Sequence, residues 1–279
     1  MNAPSREAAF RLDSMKAPFM IILLLASTLG FCLLGIGVRN AKLEADSQSI
    51  TLYCAAGLRL PVSEIVAQYQ EETGHSVKVI YNGSGALLSQ MKIGGGDLYL
   101  PAHSAYVDDA RALGLADGLF PIAELTAKVV VHRDCDEVAS FADLAKPEIK
   151  ISFADESAAI GSFAKHLLEE SGEFRLIEQN ITVTKPTVNS VLEDVSLGSV
   201  NATIAWDAVA QSFSELRTIP HPLFEKNKGT VAFTMLKSSK EHEVAQAFAS
   251  YLVDEDKGMA VLERHGFVTV DPVNLPWVE

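Results

Sequence analysis

The residues most able to do chemistry sit at Asn82-Gly83-Ser84-Gly85. A β-favouring run, SVKVIY, precedes them, and Leu87, Leu88, Met91 and Ile93 follow at helical spacing. A strand that feeds a helix through two glycines around one serine is suited to hold an anion. The helix start carries unpaired N–H groups and about half a positive charge. The glycines let backbone approach closely, and the serine can cap the helix or donate its own hydroxyl. The stretch is not a P-loop, because no Gly-Lys-Ser/Thr follows. It is not a dinucleotide fingerprint, because Leu88 stands where the third glycine would be. A hydrolase nucleophile elbow needs Gly-x-Ser-x-Gly, and the chain reads Asn82-Gly-Ser-Gly-Ala86. No nucleophile is paired with a base, and no enzyme activity is expected.

Other reactive types are scattered. The seven histidines form no helical pair and no His-Glu-x-x-His. Of three cysteines, Cys32 is in an apolar segment, Cys54 in a strand-like run and Cys135 in a loop; no zinc spacing exists. A Cys54–Cys135 disulfide is open to the chain, though isolated thiols are the expectation. Asp155 and Glu156, at a strand end, read as helix-capping carboxylates. Asn82, Asn180 and Asn201 begin glycosylation sequons, and a glycan on Asn82 would block the loop.

These residues need a frame, and the alternation of patterns supplies one. ITLYCAAG (50–57) reads as a strand, 60–73 as a helix with Val62, Ile65, Val66 and Tyr69 on one face, and 76–83 as the next strand. GDLYLPA and SAYVDDARALG repeat the strand–helix unit. A second series follows: KVVVHR, KISFAD, SFAKHLLEESG, NITVT, the stripe Val188, Val191, Leu192, Val195, then NATIAW and TVAFTML. Two amphipathic helices close the chain. Such alternation implies mostly parallel sheets flanked by helices. Ligands of such units bind outside the carboxyl ends of the strands. The loops there are Gly57–Leu58, Gly83–Gly85, Asp155–Gly161, Pro186–Asn189 and Trp206–Asp207.

The net charge of −13 in 279 residues argues against nucleic acid as a partner. It leaves an anion ligand open, since dipoles alone can hold one. Phe19 to Val38 is a run of 20 residues without charge, preceded by Arg6, Arg11 and Lys16. This is a secretory signal or a signal anchor, with the remainder outside the cytoplasm. Gly35-Ile-Gly37 is a weak cleavage sequence, and Phe31 before Cys32 does not fit a lipoprotein signal. Residues 39–48 read as a polar linker.

Taken in order, YCAAGL, ETGHSVKVIYNGSGALLSQM, GDLYLPA, IGSFAKHLLEESG, TVNSVL and KGMAVLERHGF resemble the periplasmic molybdate-binding proteins, the solute-binding components of ABC importers. The resemblance spans roughly residues 50–270. It implies a two-lobed type II periplasmic-binding-protein fold. Lobe one would be 48–127 plus 230–279 and lobe two 128–229, after a tail, an apolar helix and a linker in 1–46. It implies a tetrahedral oxyanion, molybdate or tungstate, held in the cleft without a cofactor or a bare metal cation. A monomer would deliver it to a membrane permease.

Carried over by position, the contacts fall on Gly57 or Leu58, Ser84 with Gly85, Ile160 with Gly161, Val188, and Trp206. Gly57 replaces a usual serine and Trp206 a usual tyrosine. Asp207 is an extra. Aimed into the site it would favour a protonated anion such as phosphate, or ligate the metal of the oxyanion directly. Capping the following turn is its other reading. The same fold binding phosphate, sulfate or a metal ion, and a membrane-tethered sensory module, stay open alternatives.

Overall fold

The computed structural model describes residues 49–271 and 275–277. The apolar segment 19–38, and with it the signal or anchor, lies outside the described residues.

The chain begins with β1 (Ser49–Ala55), a 3₁₀ turn (Ala56–Leu58), α1 (Arg59–Thr73), β2 (Ser76–Asn82), α2 (Ser84–Gly94), β3 (Leu98–Leu100), α3 (Ala105–Ala112) and β4 (Phe120–Leu125). It crosses at Thr126 into β5 (Ala127–His132), β6 (Ile151–Ala154), α4 (Ala159–Ser171), β7 (Ile181–Lys185), α5 (Val188–Ser196), β8 (Ala202–Trp206) and β9 (Leu216–Ile219). It crosses back into β10 (Gly229–Met235), α6 (His242–Val253), α7 (Ala260–Arg264) and β11 (Val268–Thr269). Short helical turns occupy Phe174–Ile177, Asp207–Ala210 and Pro222–Lys226.

Two sheets result, one per lobe: β11-β4-β10-β3-β1-β2 and β7-β6-β8-β5-β9. Both are mixed, which corrects the expectation of mostly parallel sheets. β1, β2 and β3 run parallel, as do β7, β6 and β8. Every pairing made by β4, β5, β9, β10 and β11 is antiparallel. The reason lies in the crossings. β5 and β10 each enter their sheet from the other lobe, so they arrive in the reverse direction. β4, β9 and β11 then pair with antiparallel neighbours, and no helical crossover is needed. These three strands carry little pattern. β4 contains Pro121, placed beside the register shift at Val231/Ala232, where a missing N–H is tolerated.

The elements follow from their sequences. β6 and β8 are buried at every residue, as strands covered on both faces must be. The stripe Val62, Ile65, Val66, Tyr69 is the buried face of α1, and Gly74 ends that helix at φ +74°. α6 packs on it. Phe248 and Tyr251 stand edge-on to Tyr69, with centroids 5.1 and 5.3 Å away. Tyr251 Oη donates to Glu72 at 2.7 Å, and Lys257 pairs with the same carboxylate.

Phe248 is fully buried at this junction. Phe248→Ala should cost ~3–5 kcal/mol of stability. Urea unfolding checks this, and a loss below ~1 kcal/mol would contradict the packing described.

Candidate functional site

Four helical segments begin around one small void between the lobes. It is lined by Gly57 of the 3₁₀ turn, Ser84 of α2, Ile160 of α4 and Val188 of α5, with Trp206 at the end of β8. Each segment starts where a parallel strand ends, so its unpaired first-turn N–H groups collect there. The void measures about 20 Å³, against the ~10–15 Å³ one water needs. It suits one compact group. No Asp, Glu, Lys or Arg lines it. Its field comes from N–H groups and helix dipoles.

Ser84 is held from two sides. Its carbonyl accepts from Tyr99 Oη at 2.7 Å, and its Oγ accepts from the Ala102 N–H at 3.2 Å. Its own O–H finds no acceptor among the described residues and is free to donate. Burial pushes the Tyr99 hydroxyl far above its usual range, so it stays a donor. Asn82 and Thr187 also line the void; the sequence placed both in ligand loops without naming either as a contact. Asn82 Oδ1 accepts from the Gly83 N–H at 2.8 Å, which leaves its amide hydrogens to donate. The signal was the Asn-Gly turn itself, from which the sequence took Ser84 as the donor. Thr187 caps α5 by accepting from the Ser190 N–H at 3.2 Å.

Of the residues singled out in the sequence, Gly57, Ser84, Ile160, Val188 and Trp206 meet at the void, and Leu58, Gly85, Gly161 and Asp207 do not line it. Leu58 turns its side chain into the core. The Gly85 N–H donates to Ser157 O at 2.8 Å, across the cleft. A Cβ on Gly161 would lie 2.1 Å from Asp155 O, so this glycine lets α4 start against the end of β6. Asp207 Oδ1 accepts from the Thr126 N–H at 3.2 Å and the Ala208 N–H at 2.9 Å. Its carboxylate is tied to the crossing segment. Asp155 Oδ1 accepts from the Ser157 N–H at 2.8 Å and holds the turn before α4.

The serine absent from position 57 has left no hole. A Cβ there would come 2.9 Å from Val188 Cγ1 and 3.1 Å from Val209 Cγ2. The two valines occupy that space. Trp206 is buried, with its ring 5.0 Å from Phe163 and its outer edge on Gly229, where a Cβ would lie 2.6 Å away.

The lobes are closed on each other. Besides Gly85 to Ser157, Tyr106 Oη donates to Glu156 O at 2.8 Å. His103 of lobe one lies 5.3 Å from Phe163 of lobe two. Gly83 fits against two carbonyls of lobe two, with Pro186 O and Ser157 O 2.5 and 2.6 Å from where a Cβ would be. Both Cys54 and Cys135 are free thiols. Burial pushes the Cys54 thiol well up, out of its reactive range. Among the described residues, no group of three or more His, Cys, Asp or Glu could hold a metal ion.

Two mixed α/β lobes closed on a small void at the carboxyl ends of their parallel strands define a solute-binding protein. The chain belongs to the bacterial extracellular solute-binding proteins, whose family model matches residues 50–268. It is 28% identical to a putative binding protein of Haemophilus influenzae over 233 residues, covering 81% of this chain and 93% of that one. It is 25% identical to the molybdate-binding protein ModA of Mycobacterium bovis over 229 residues, covering 79% of this chain and 85% of the relative. Among solved structures, the periplasmic molybdate-binding protein of Azotobacter vinelandii superposes with a TM-score of 0.67 at 17% identity, covering 78% and 98% of the two chains. The sulfate-binding protein SubI of Mycobacterium tuberculosis reaches 0.69 at 16%, covering 81% and 88%.

Two outcomes follow from the closed geometry. Gly83→Ala puts a methyl group onto two carbonyls, so it should hold the lobes apart and weaken ligand binding at least about tenfold. Small-angle scattering should show a more open molecule with ligand present, and an unchanged profile would contradict the contact. His103 gives a pH dependence. Burial holds its imidazole below the usual 6.5. Between that lowered value and 6.5 the unfolded chain binds more protons. The contribution to stability is therefore present above 6.5 and is lost as pH falls through the folded value. His103→Phe keeps the ring against Phe163 and should soften this acid loss in urea midpoints taken along a pH series.

Proposed function

We propose that this protein captures a tetrahedral, fully ionised oxyanion, molybdate or tungstate, in the void between its lobes and presents the closed form to an ABC permease. Family membership supports the coarser statement by itself: an extracytoplasmic solute-binding protein rather than a catalyst. The observation that carries the finer one is the chemistry of the void. Donors converge on it from both lobes, and no carboxylate lines it. Molybdate, tungstate and sulfate carry no proton at neutral pH and only accept hydrogen bonds. Phosphate keeps a proton for part of the time and needs an acceptor, and Asp207, the carboxylate the sequence offered for that part, is bonded to Thr126 and Ala208 instead. The names of the relatives, molybdate-binding in several cases, add to this reading.

Closure is the mechanism. An anion that accepts from both lobes binds the closed state more tightly than the open one and shifts the population by that difference. Ser84 O–H and the Asn82 amide would supply side-chain donors from lobe one. The first-turn N–H groups at Ile160 and Val188 would supply those of lobe two.

Sulfate is the second reading. The same all-donor lining favours it, and a sulfate-binding protein is among the structural neighbours. Size separates the two, since molybdate and tungstate are larger than sulfate.

Thermal unfolding of the full-length protein with molybdate, tungstate, sulfate and phosphate tests the assignment. A ligand at 100 times its Kd should add ~2.7 kcal/mol. Molybdate and tungstate should raise the midpoint, phosphate should not, and Ser84→Ala should reduce the rise. A rise with sulfate alone would replace the ligand. A rise with phosphate would overturn the view that the void lacks an acceptor.

A further inference from the structure

A second, larger void lies between the lobes on the far side of Gly57, at about 180 Å³. Gly57 borders both voids, and its contacts with Val188 and Val209 form the wall between them. Lobe one contributes Arg264 and His265, and lobe two contributes Asn189, Gln211 and Ser212. The space would hold several waters at ~10–15 Å³ each, far more than a single tetrahedral ion.

Its polar groups are incompletely used. Arg264 Nη2 and His265 Nε2 share one carboxylate, Glu64, at 2.6 and 2.9 Å. That leaves the other guanidinium N–H groups and His265 Nδ1 for a ligand. No Asp or Glu lines the void itself. Ser212 Oγ donates to Val209 O at 2.7 Å, which leaves its oxygen as an acceptor. Asn189 Oδ1 is buried without a donor among the described residues. Gln211 reaches across from lobe two to Gly266. A Cβ there would lie 2.5 Å from Gln211 Oε1, and the glycine sits at φ +81°.

We propose that this void binds a small hydroxycarboxylate. The guanidinium recognises the carboxylate in a two-pronged geometry. The acceptor Ser212 Oγ calls for a hydroxyl hydrogen, which a bare oxyanion does not carry. Because both lobes line the void, the organic ligand favours the closed form. Its binding is thermodynamically coupled to that of the oxyanion in the smaller void, each tightening the other.

Calorimetry of the full-length protein with citrate and L-malate, with glycerol as control, tests this. Citrate or malate should bind and glycerol should not. Arg264→Met in lobe one and Gln211→Leu in lobe two should each weaken binding about tenfold. Ser84→Ala, in the other void, should leave carboxylate binding within about threefold. If Arg264→Met unfolds the α1–α7 contact, Gln211→Leu still decides. Heat with neither acid, equal binding of glycerol, or a loss confined to Ser84→Ala would overturn the proposal. The oxyanion assignment stands or falls separately, on molybdate titrations of the same proteins.

Discussion

The first-turn N–H groups of a helix have no partner within the helix, and four helical segments of this chain begin at one void between the lobes. Helices in this chain start where parallel strands end, and each start leaves backbone N–H groups unpaired. The starts of the 3₁₀ turn, α2, α4 and α5 meet at one void between the two lobes. Leaving such groups without a partner costs ~1–3 kcal/mol each, which is the physical ground for the anion proposed between the lobes. Side chains carry little of this. At Gly57 the helix start is present without a side chain, and Val188 and Val209 fill the space beside it.

The residues at 206 and 207 connect the void to both crossings. Trp206 lines the void and rests on Gly229, at the start of the returning strand. Asp207 exchanges hydrogen bonds with the backbone of Thr126, in the outgoing segment. The two segments that cross between the lobes are therefore held by residues at or beside the void. Phe163 and His103 extend the same stack across the cleft. The contact between the lobes and the wall of the void share one set of packed rings.

Much of this was legible in the sequence for identifiable reasons. The stripe on α1, the glycine stop at Gly74 and the apolar runs of β6 and β8 depend on local periodicity, which a sequence displays. Ser84 between two glycines pointed to a helix start, and the structure places it there. β4, β9 and β11 did not announce themselves. β4 holds a proline, and β9 and β11 have four and two residues, too few for a pattern. They extend the sheets beyond β10 and β5, the two reversed strands that make the sheets mixed.

Sequence alone determined the strand–helix order, the loops that must lie at strand ends, and the chemistry those loops could offer, since all three depend on neighbours along the chain. Tertiary structure decided what depends on distant neighbours. Gly85 spends its N–H on Ser157, and Gly161 serves the packing of α4. Asp207 answers to Thr126, which is 81 residues away. Val188 and Val209 fill the space beside Gly57, and Asn82 turns its amide hydrogens free only because Gly83 engages its oxygen. Whether a polar group faces a ligand or a backbone depends on which distant atom reaches it first, and only the folded chain brings those atoms together.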